Sequence, residues 1–598
     1  RKPLAGAWLT IVADRHHYAR DSWMVSPENK DPGNWLLGGS FLKYRIFVNG
    51  VLAGAGPFRA IGSNSSVLHR FDLRSFLTAG ENVLGIFSRG EAKGFALALE
   101  LQYEDGTKET LCSDGDWRQC NVNEAYCPVC WERQSLSQDF KGGPGPGEWY
   151  EHIDGRRWPD GWNTPGFDAA AWTKAETFGV VTETLEMPGL TNYQPEAVTP
   201  KVIKKFAPGH YWIDFGREVF AGIELTGPAA GGAVEVRLSE NLLSDGHVQY
   251  IMQTFNCYQE LWRFRAGGQK LAHFGLRMFR YAEVVDYGDE LTPDRICART
   301  MNTPFAENDA AFSSSEKNLE AIWRLCRNTI KYTNADIYTD GLSRERIAYE
   351  ADSYINMLTA LSVEPNFDLA RRTLLYQIEH PTWPCEWIQF VIPLVYEYVM
   401  ASGDLNLARQ LYPRLAADFS FHKLRDANGL VREFPKSVII DWPESQRDGY
   451  EFGDYCNVPN AFVYYDLILL AELSLYLGLT ADCRQWKSLA AEQHAAFNRV
   501  LFDAKTRMYR DCAGSSHHAA HSTFFAAAFG LVPAHQLAAA GDFMVGEGMA
   551  CSVYAAQFLL EALFRCGRGD AAVDLILSEG PAGWLAMLKA GATATFEA

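Results

Sequence analysis

The sequence is poor in the features that mark nucleic-acid-binding and membrane proteins. Its 598 residues include 55 Lys and Arg against 73 Asp and Glu, which gives a net charge of −18. A chain this acidic lacks the basic surface that phosphate backbones require, so nucleic acid is excluded as a partner. It is equally unsuited to an anionic membrane surface. Since no run of about 18 apolar residues occurs, we expect no membrane-spanning helix and no membrane partner.

Cysteines are too scattered for a disulfide framework. The chain has 13, and the odd number leaves at least one unpaired. This pattern is typical of reduced thiols and predicts a cytoplasmic protein, with secretion as the alternative. Cys127 and Cys130 form a lone CxxC pair with no second pair or histidine cluster nearby, which favours a plain loop over a zinc site.

Motifs for phosphate binding and for serine nucleophiles are also absent. The Gly/Pro tract at 142–147 resembles a phosphate loop, but its prolines remove amide donors and no Lys-Ser/Thr follows. No Gly-x-Ser-x-Gly elbow occurs. His517, His518 and His521 lie in a stretch of small residues without a convergent acid, so a metal site there is the less favoured interpretation. We therefore predict no cofactor and no metal.

Aromatic residues, in contrast, are abundant. They make up 13% of the chain and include 17 Trp and 26 Tyr. Aromatic faces pack against the C–H faces of sugar rings, whose hydroxyl groups then need polar partners. Together with the charge, this composition favours a neutral or weakly polar small molecule as the ligand. The oligomeric state stays open, and a homo-oligomer is compatible with the sequence.

Strand patterns occupy the first half of the chain. Residues 1–140 predict a β-sandwich, because short alternating segments end at turn signals such as Asn49-Gly50. A second sandwich is expected over 141–304. The predicted strands lie at 44–48, 82–87, 95–101, 211–216, 222–225, 233–238 and 280–285.

From residue 305 to 598 the period of the apolar residues changes from two to 3.6. A capping pattern at 313–316 precedes the first helix, and about eleven helical segments follow. This pattern predicts a toroid of paired helices, of the (α/α)6 class, as the catalytic domain. Because another helix is expected where the sequence ends, the toroid is expected to lack its C-terminal closing element. The predicted fold class is thus multidomain, with β-sandwich modules ahead of an all-α toroid.

The segment 338–352 concentrates charge in a Gly-containing turn that leads into a helix. Glycoside hydrolysis needs two carboxyl groups on opposite sides of the scissile bond. Glu345 is the best candidate for the acid, although Arg344 and Arg346 would lower its pKa unless another carboxylate lay nearby. Asp340 is expected to be that neighbour. The alternative is a solvated helix N-terminus whose acids pair with the arginines.

Other acids stand where a sugar could be bound. Glu597 ends a small, uncharged stretch and is either an inward-facing functional carboxylate or a frayed terminal residue. Glu386 precedes Trp387, and Asp441 precedes Trp442, each at a loop–helix junction. Either pair could bind a sugar by stacking and hydroxyl contacts. Either could instead be a core Trp beside a capping acid.

Taken together, these segments resemble glycoside hydrolase family 78, the α-L-rhamnosidases. The family motif Asp-Cys-Pro-Ser-Arg-Glu-Arg-Ala-Gly-Trp-Leu-Cys-Asp is similar, at identical length, to residues 340–352. The similarity also reaches back through both strand-rich modules. Further similar segments are 381–387, 441–442, 521–533, 551–554 and 584–597.

The resemblance implies an inverting hydrolase that releases terminal α-L-rhamnose from a small-molecule or oligosaccharide glycoside. Glu345 would be the general acid and Glu597 the general base. Asp340 and Arg344 would bind the sugar hydroxyls. Tyr349, Trp387, Asp441 and Trp442 are implied as subsite residues, and Glu386 joins the predicted substrate-binding residues through its place beside Trp387.

The motif departs from the family pattern at several positions. Gly341 and Leu342 replace Cys-Pro, Ala348 replaces Gly, and Tyr349 replaces Trp. A tyrosine offers a smaller stacking face and adds a hydroxyl, which predicts a changed sugar preference or a low activity. Two alternatives therefore stay open: a non-catalytic glycan-binding relative, and a toroid hydrolase that acts on another deoxysugar such as L-fucose.

Overall fold

The fold is known from a computed structural model of the chain. It describes residues 3–13, 44–62, 65–88, 94–128, 151–177, 184–251, 258–306, 308–343, 346–364 and 366–597. The chain forms two compact units. Residues 1–305 and 331–347 form the first, which we call the sheet unit, and residues 306–330 and 348–598 form the second, the helical unit.

The sheet unit contains a ten-stranded sheet and smaller sheets of five, three and two strands in the described part of the chain. Its strands are β1 (Leu4–Ala13), β2 (Tyr44–Val48), β3 (Val51–Gly56), β4 (Ser65–Asp72), β5 (Leu84–Ser88), β6 (Phe95–Tyr103), β7 (Lys108–Cys112), β8 (Arg118–Gln119), β9 (Tyr126–Pro128), β10 (Glu151–Asp154), β11 (Thr173–Lys174), β12 (Thr184–Glu186), β13 (Gln194–Val198), β14 (Val202–Ala207), β15 (His210–Thr226), β16 (Gly232–Ser239), β17 (Gln259–Phe264), β18 (Lys270–Ala272), β19 (Arg277–Val285) and β20 (Ile296–Asn302).

Strands from both sides of residue 140 pair within the same sheets. The five-stranded sheet has the order β12-β4-β1-β6-β7, and β3-β2-β5 form the three-stranded sheet. In the ten-stranded sheet the order is β13-β20-β15-β19-β16-β17-β10-β9, with β14 and β18 also paired to β15. The predicted domain boundaries near 140 and 304 stay predictions.

Strand β15 organises the larger sheet. The sequence predicts two strands, at 211–216 and 222–225, but the structure has one strand of 17 residues. Its register with β19 shifts between Asp214 and Val219, where Gly216 adopts a positive φ of 79°. Such a bulge bends the strand and lets it pair with several neighbours, which curls the sheet. The core beneath it is apolar and fully buried, with Val219, Ile223, Leu225, Val234, Trp262, Phe279 and Val284.

The helical unit consists of alternating inner and outer helices. The helices are α1 (Lys317–Thr333), α2 (Glu350–Val363), α3 (Asp368–Glu379), α4 (Cys385–Gln389), α5 (Val391–Ser402), α6 (Leu405–Arg414), α7 (Asn457–Tyr476), α8 (Thr480–Leu501), α9 (Ala520–Phe529), α10 (Leu537–Glu547), α11 (Val553–Arg565), α12 (Gly569–Ile576) and α13 (Trp584–Lys589), and a small hairpin, β21 (Phe502–Asp503) with β22 (Met508–Tyr509), follows α8.

Five inner helices of the described chain form a ring, and the absence of a closing element stays a prediction. Helices α2, α5, α7, α9 and α11 pack against one another in succession, and α11 packs back on α2. Helices α3, α6, α8, α10 and α12 pack on their outer side. The prediction of strand-rich modules followed by a toroid of paired helices is confirmed.

Phe558 of α11 lies at the centre of the ring. Its side chain is 1% exposed. Its ring centroid lies 5.8 Å from that of Phe390, 6.1 Å from that of Phe462 and 5.0 Å from that of Phe525. It also stacks on Tyr354 of α2, at 6.0 Å. The inner helices are thus joined by one aromatic cluster.

Helix α7 is a core helix of this ring. Among the described helices, it is the one long and apolar enough to cross a membrane by length and composition. The sequence predicts no such segment. Because 72% of its most apolar stretch is buried inside the protein, packing in the ring accounts for its composition.

Among the cysteines whose side chains the structure describes, none forms a disulfide. Ten are free, and six of these are buried: Cys385, Cys456, Cys483, Cys512, Cys551 and Cys566. The redox state of the thiols stays a prediction. In the CxxC pair, Cys130 and the side chain of Cys127 lie outside the described part of the chain.

We expect Phe558→Ala to destabilise the helical unit by about 3–5 kcal/mol, because it removes a fully buried aromatic ring and leaves a cavity. Phe564→Ala, in the same helix but at a side chain that is 57% exposed, is the matched control and should change the stability by about 0.5 kcal/mol or less. Urea unfolding followed by far-UV circular dichroism measures both. Equal losses in the free energy of unfolding for the two variants would contradict the role of Phe558 in joining the inner helices.

Candidate active site

The loops that precede the inner helices meet at one end of the ring. They comprise residues 349–350, 381–387, 436–457, 511–521 and 551–554, and we call them the rim. The backbone joins two of them directly, since the Cys385 N–H donates to the Ser437 carbonyl at 2.8 Å. Helix N-termini carry unpaired N–H groups and a positive potential, so acidic side chains are expected here.

Three aromatic rings pack together at the rim. Trp387 of α4 contacts Tyr349, the residue before α2, edge to face at 5.4 Å. On its other side it contacts Tyr554, in the first turn of α11, at 5.1 Å. The structure therefore brings together the predicted site residues Tyr349 and Trp387. It adds Tyr554, whose segment resembles the family but to which the sequence assigns no role.

Glu386 points into the protein. Its side chain is 1% exposed. Its Oε1 accepts the N–H groups of Ile439 and Ile440, at 2.7 and 2.5 Å. Burial raises the pKa of Glu386 to about 7, although the backbone N–H bonds and, to a smaller extent, the nearby Arg447 oppose the shift. Ile440 has a φ of +63°, which is strained for a β-branched residue, so Glu386 holds this turn in an unfavourable conformation.

Asp441 is also completely buried and has several partners. His521 Nε2 lies 2.8 Å from its Oδ2, and the same oxygen accepts the Ser552 N–H at 2.9 Å. The Ser552 hydroxyl donates to Oδ1, and Ser552 is itself the N-cap of α11. The Trp442 N–H donates to Oδ1 at 2.8 Å. Asp441 thus fixes the loop of Trp442 to two inner helices.

The three histidines of the sequence stretch 517–521 face different acids. His521 faces Asp441, His517 Nδ1 lies 2.6 Å from Asp511, and His518 Nε2 lies 3.4 Å from Asp503. Each of the three histidines is therefore paired with a different acid.

Exposed aromatic side chains stand on the rim loops. Trp442 is 43% exposed, Trp383 is 38% exposed and Phe452 is 48% exposed. Arg447 lies 5.8 Å over the Phe452 ring. Trp442 is a predicted site residue. Its indole is accessible to solvent, whereas its neighbour Asp441 is buried. Trp383 and Phe452 were not predicted individually, although Trp383 lies in a segment that resembles the family.

Residues 340–347 of the acid motif belong to the sheet unit, and Arg344 and Glu345 lie outside the described residues. The residues on either side are held by two hydrogen bonds between Asp340 and Ile347, which we call the clasp. The Asp340 N–H donates to the Ile347 carbonyl at 2.8 Å, and the Ile347 N–H donates to Asp340 Oδ1, also at 2.8 Å. The clasp thus holds together the described residues on either side of Arg344 and Glu345.

Arg346 anchors the same turn. Its guanidinium is 1% exposed and lies 5.2 Å over the Phe220 ring. It donates to the carbonyl of Leu342 at 2.7 Å and to that of Leu276 at 3.0 Å. The Tyr258 hydroxyl donates to the Ser343 carbonyl at 3.2 Å. Arg346 therefore serves the packing of the turn against the larger sheet.

Glu597 is exposed, at the end of a segment that packs within the helical unit. The Thr595 N–H donates to the hydroxyl of Thr329 in α1 at 2.8 Å. The Phe596 N–H lies 3.4 Å from the sulfur of Met587 in α13. The position before Glu597 is thus fixed, and the pairing of Glu597 with Glu345 stays a prediction.

We expect Glu386→Gln to change how stability depends on pH. The carboxyl group is protonated in both states below about pH 4.5, and between about pH 4.5 and 7 the unfolded chain releases its proton first. The folded state therefore loses up to about 3 kcal/mol as the pH rises through this window. Glutamine keeps an acceptor for both N–H groups and does not titrate.

Relative to the unmodified protein, the Glu386→Gln variant should thus gain on the order of 3 kcal/mol between pH 4.5 and pH 8. Urea unfolding at the two pH values measures this difference. Glu547→Gln, at an exposed position on α10, is the control and should follow the unmodified protein. Parallel pH profiles for all three proteins would show that Glu386 is ionised in the folded state.

Two family models match the sequence. The bacterial α-L-rhamnosidase 6 hairpin glycosidase domain matches residues 307–598. The bacterial α-L-rhamnosidase concanavalin-like domain matches residues 204–302, which run from β14 to β20. An α-L-rhamnosidase of Streptomyces avermitilis is 25% identical over 238 residues, which are 37% of this chain and 20% of that protein.

Solved rhamnosidase structures share the fold. The α-L-rhamnosidase from Dictyoglumus thermophilum has a TM-score of 0.75 at 18% identity, over 99% of this chain and 66% of that one. The family GH78 rhamnosidase of Bacillus sp. GL1 has a TM-score of 0.76 at 15% identity, over 100% of this chain and 86% of that one. The Streptomyces avermitilis α-L-rhamnosidase complexed with L-rhamnose has a TM-score of 0.73 at 17% identity, over 100% and 56%.

The chain spans only part of these relatives: a fifth of the length of the curated protein and 56–86% of the three structures. Within the chain itself, the two matched domains together cover about two thirds of the residues. Both are domains of the same group of enzymes, in the order in which the structure shows a curled sheet and then paired helices. The chain therefore belongs to the bacterial α-L-rhamnosidase family.

Proposed function

We propose that this protein hydrolyses terminal α-L-rhamnosides of small molecules or oligosaccharides, with inversion at the anomeric carbon. The observation that carries the proposal is the match of the helical unit to the six-hairpin glycosidase domain, which begins just ahead of the acid motif. The rhamnosidase of Streptomyces avermitilis has been solved with L-rhamnose bound, which supports the same sugar here.

Glu345 is assigned as the general acid. The motif keeps this acid together with the preceding Arg344 and the leading Asp340. The Asp340–Ile347 clasp supports the role, because a catalytic side chain works best on a turn whose two ends are held. Asp340 and Arg344 are assigned to the sugar hydroxyls.

Glu597 is assigned as the general base that activates water. Its exposure is suited to a group that must meet a water molecule, and the Thr595–Thr329 bond holds the segment that carries it. Inversion requires the two carboxyl groups to be roughly 6.5–9.5 Å apart, which leaves room for the water between them.

The rim supplies the walls for the sugar. Trp442 and the cluster around Trp387 are assigned to the apolar face of the ring, which packs well on aromatic carbon. Glu386 and Asp441 are assigned to positioning, because each is buried and engaged with backbone N–H groups. Tyr349, in contact with Trp387, adds a hydroxyl where family members have an indole.

Leaving-group dependence separates the two catalytic roles. We expect Glu345→Gln to lower kcat on aryl α-L-rhamnosides by about 10²–10⁴-fold, with a larger loss for poorer leaving groups, because the proton donor is gone. Glu597→Gln should lower kcat by a similar factor for every leaving group. Glu547→Gln is the control and should retain the native rate. Near-native turnover in either of the first two variants would remove that residue from its assigned role.

The sugar and the stereochemistry are tested by the unmodified protein. We expect turnover of p-nitrophenyl α-L-rhamnoside, and proton NMR of the fresh reaction should show β-L-rhamnose before the anomers equilibrate. Faster turnover of the α-L-fucoside would assign the other deoxysugar. Binding of L-rhamnose without turnover of any aryl glycoside would indicate the glycan-binding alternative, and the α-anomer as first product would contradict inversion.

A further inference from the structure

Two histidines and a buried carboxylate lie together on one face of the ten-stranded sheet. His210, His247 and Glu283 each present one donor atom, and the three atoms lie within 4.8 Å of one another. We propose that this cluster is a Zn²⁺-binding site, separate from the chemistry assigned to the rim. It lies entirely within the sheet unit.

The sheet register brings two of the three side chains together. Glu283 of β19 stands directly opposite Trp212 of β15 on one side and Arg237 of β16 on the other. His210 precedes Trp212 by two residues, so it projects from the same face, diagonally across from Glu283. Two adjacent strands thus place an imidazole beside a carboxylate that is fully buried.

A tight turn brings in the second histidine. Leu242 and Val248 form an isolated bridge, and the Leu243 N–H donates to the His247 carbonyl at 2.8 Å. Gly246 adopts a φ of +86°, which glycine permits and which closes the turn. The Val248 N–H donates to Glu283 Oε1 at 3.1 Å, so the turn is tied to the same carboxylate.

The distances are close to those of a metal site. His210 Nε2 lies 3.3 Å from Glu283 Oε2, and His247 Nδ1 lies 2.8 Å from Oε1. Donor atoms about 2.0–2.1 Å from a tetrahedral Zn²⁺ are roughly 3.3 Å apart, so small side-chain movements complete the site. His210 Nε2 is buried and has no hydrogen-bond partner within the described chain, although it points at the carboxylate.

The donor set selects the kind of metal. Two imidazole nitrogens and one carboxylate oxygen are typical of Zn²⁺, whereas Ca²⁺ and Mg²⁺ prefer oxygen ligands alone. Three protein ligands leave a fourth position for water. The His247 side chain is 40% exposed, which opens that position to solvent. Phe206 contacts both imidazole rings edge to face, at 5.7 Å for His210 and 5.1 Å for His247.

Arg237 also touches the carboxylate. Its Nη1 lies 3.2 Å from Glu283 Oε2, and its Nε is paired with Glu235. Glu235 compensates the charge of Arg237, whose contact with Oε2 orients the carboxylate. Outer partners of this kind commonly fix the ligands of metal sites. A bound Zn²⁺ would join the start of β15, the 242–248 turn and β19.

Zinc binding by the folded protein tests the proposal. We expect apo protein to take up one Zn²⁺ at this cluster in isothermal titration, with a rise in the Tm of the sheet unit. His210→Ala and His247→Ala should each weaken the binding by at least about 100-fold, since loss of an outer partner alone costs 10–100-fold. His535→Ala, at an exposed histidine of the helical unit, is the matched control and should bind as the unmodified protein does.

The histidines are replaced rather than Glu283, because Glu283 also binds Arg237 and the Val248 N–H. Replacing Glu283 would disturb the fold as well as the site. Circular dichroism confirms that each variant is folded. Absence of Zn²⁺ binding by the unmodified protein would overturn the proposal. Undiminished binding in both histidine variants would do the same, because the metal would then lie elsewhere.

Discussion

Buried carboxylates that accept backbone N–H groups hold the rim of the helical ring in place. Glu386 accepts two such groups from the turn at Ile439 and Ile440, and Asp441 accepts that of Ser552 at the start of α11. Donors at helix N-termini and strained turns have no helical partner, and the positive end of the helix favours the carboxylate. Removing one of these acids would leave buried donors unpaired, which is far more costly than the loss of a surface contact.

Buried acids and exposed aromatic rings therefore have different positions in the rim. In the pair Asp441-Trp442 the acid is completely buried while the indole is 43% exposed, so the acid holds the loop and the ring meets the solvent. The segments assigned to the catalytic carboxyls are held differently. One is closed by the clasp between Asp340 and Ile347, and the other is tied by Thr595 to a helix. In each case the residues next to the assigned carboxyl group are held by hydrogen bonds, which is what precise chemistry would require.

Local patterns predicted the strands and helices well, since alternation at 44–48 and the 3.6 period after residue 305 reflect local backbone preferences. The single strand β15 was missed because the bulge at Gly216 interrupts the alternation without ending the strand. The orientation of the acids could not be predicted either. Glu386 is bonded to Ile439, which is 53 residues away, and Asp441 to Ser552, which is 111 residues away. Local sequence patterns do not predict contacts between residues so far apart. Tyr554 went unassigned for the same reason.

In the proposed mechanism, two acids far apart in the sequence flank one sugar. A crystal structure of the protein with L-rhamnose bound at the rim measures this directly. We predict that the carboxyl groups of Glu345 and Glu597 lie on opposite sides of the anomeric carbon, roughly 6.5–9.5 Å apart, with the sugar against Trp442 or Trp387. A sugar bound elsewhere, or carboxyl groups that open into separate cavities, would contradict the account.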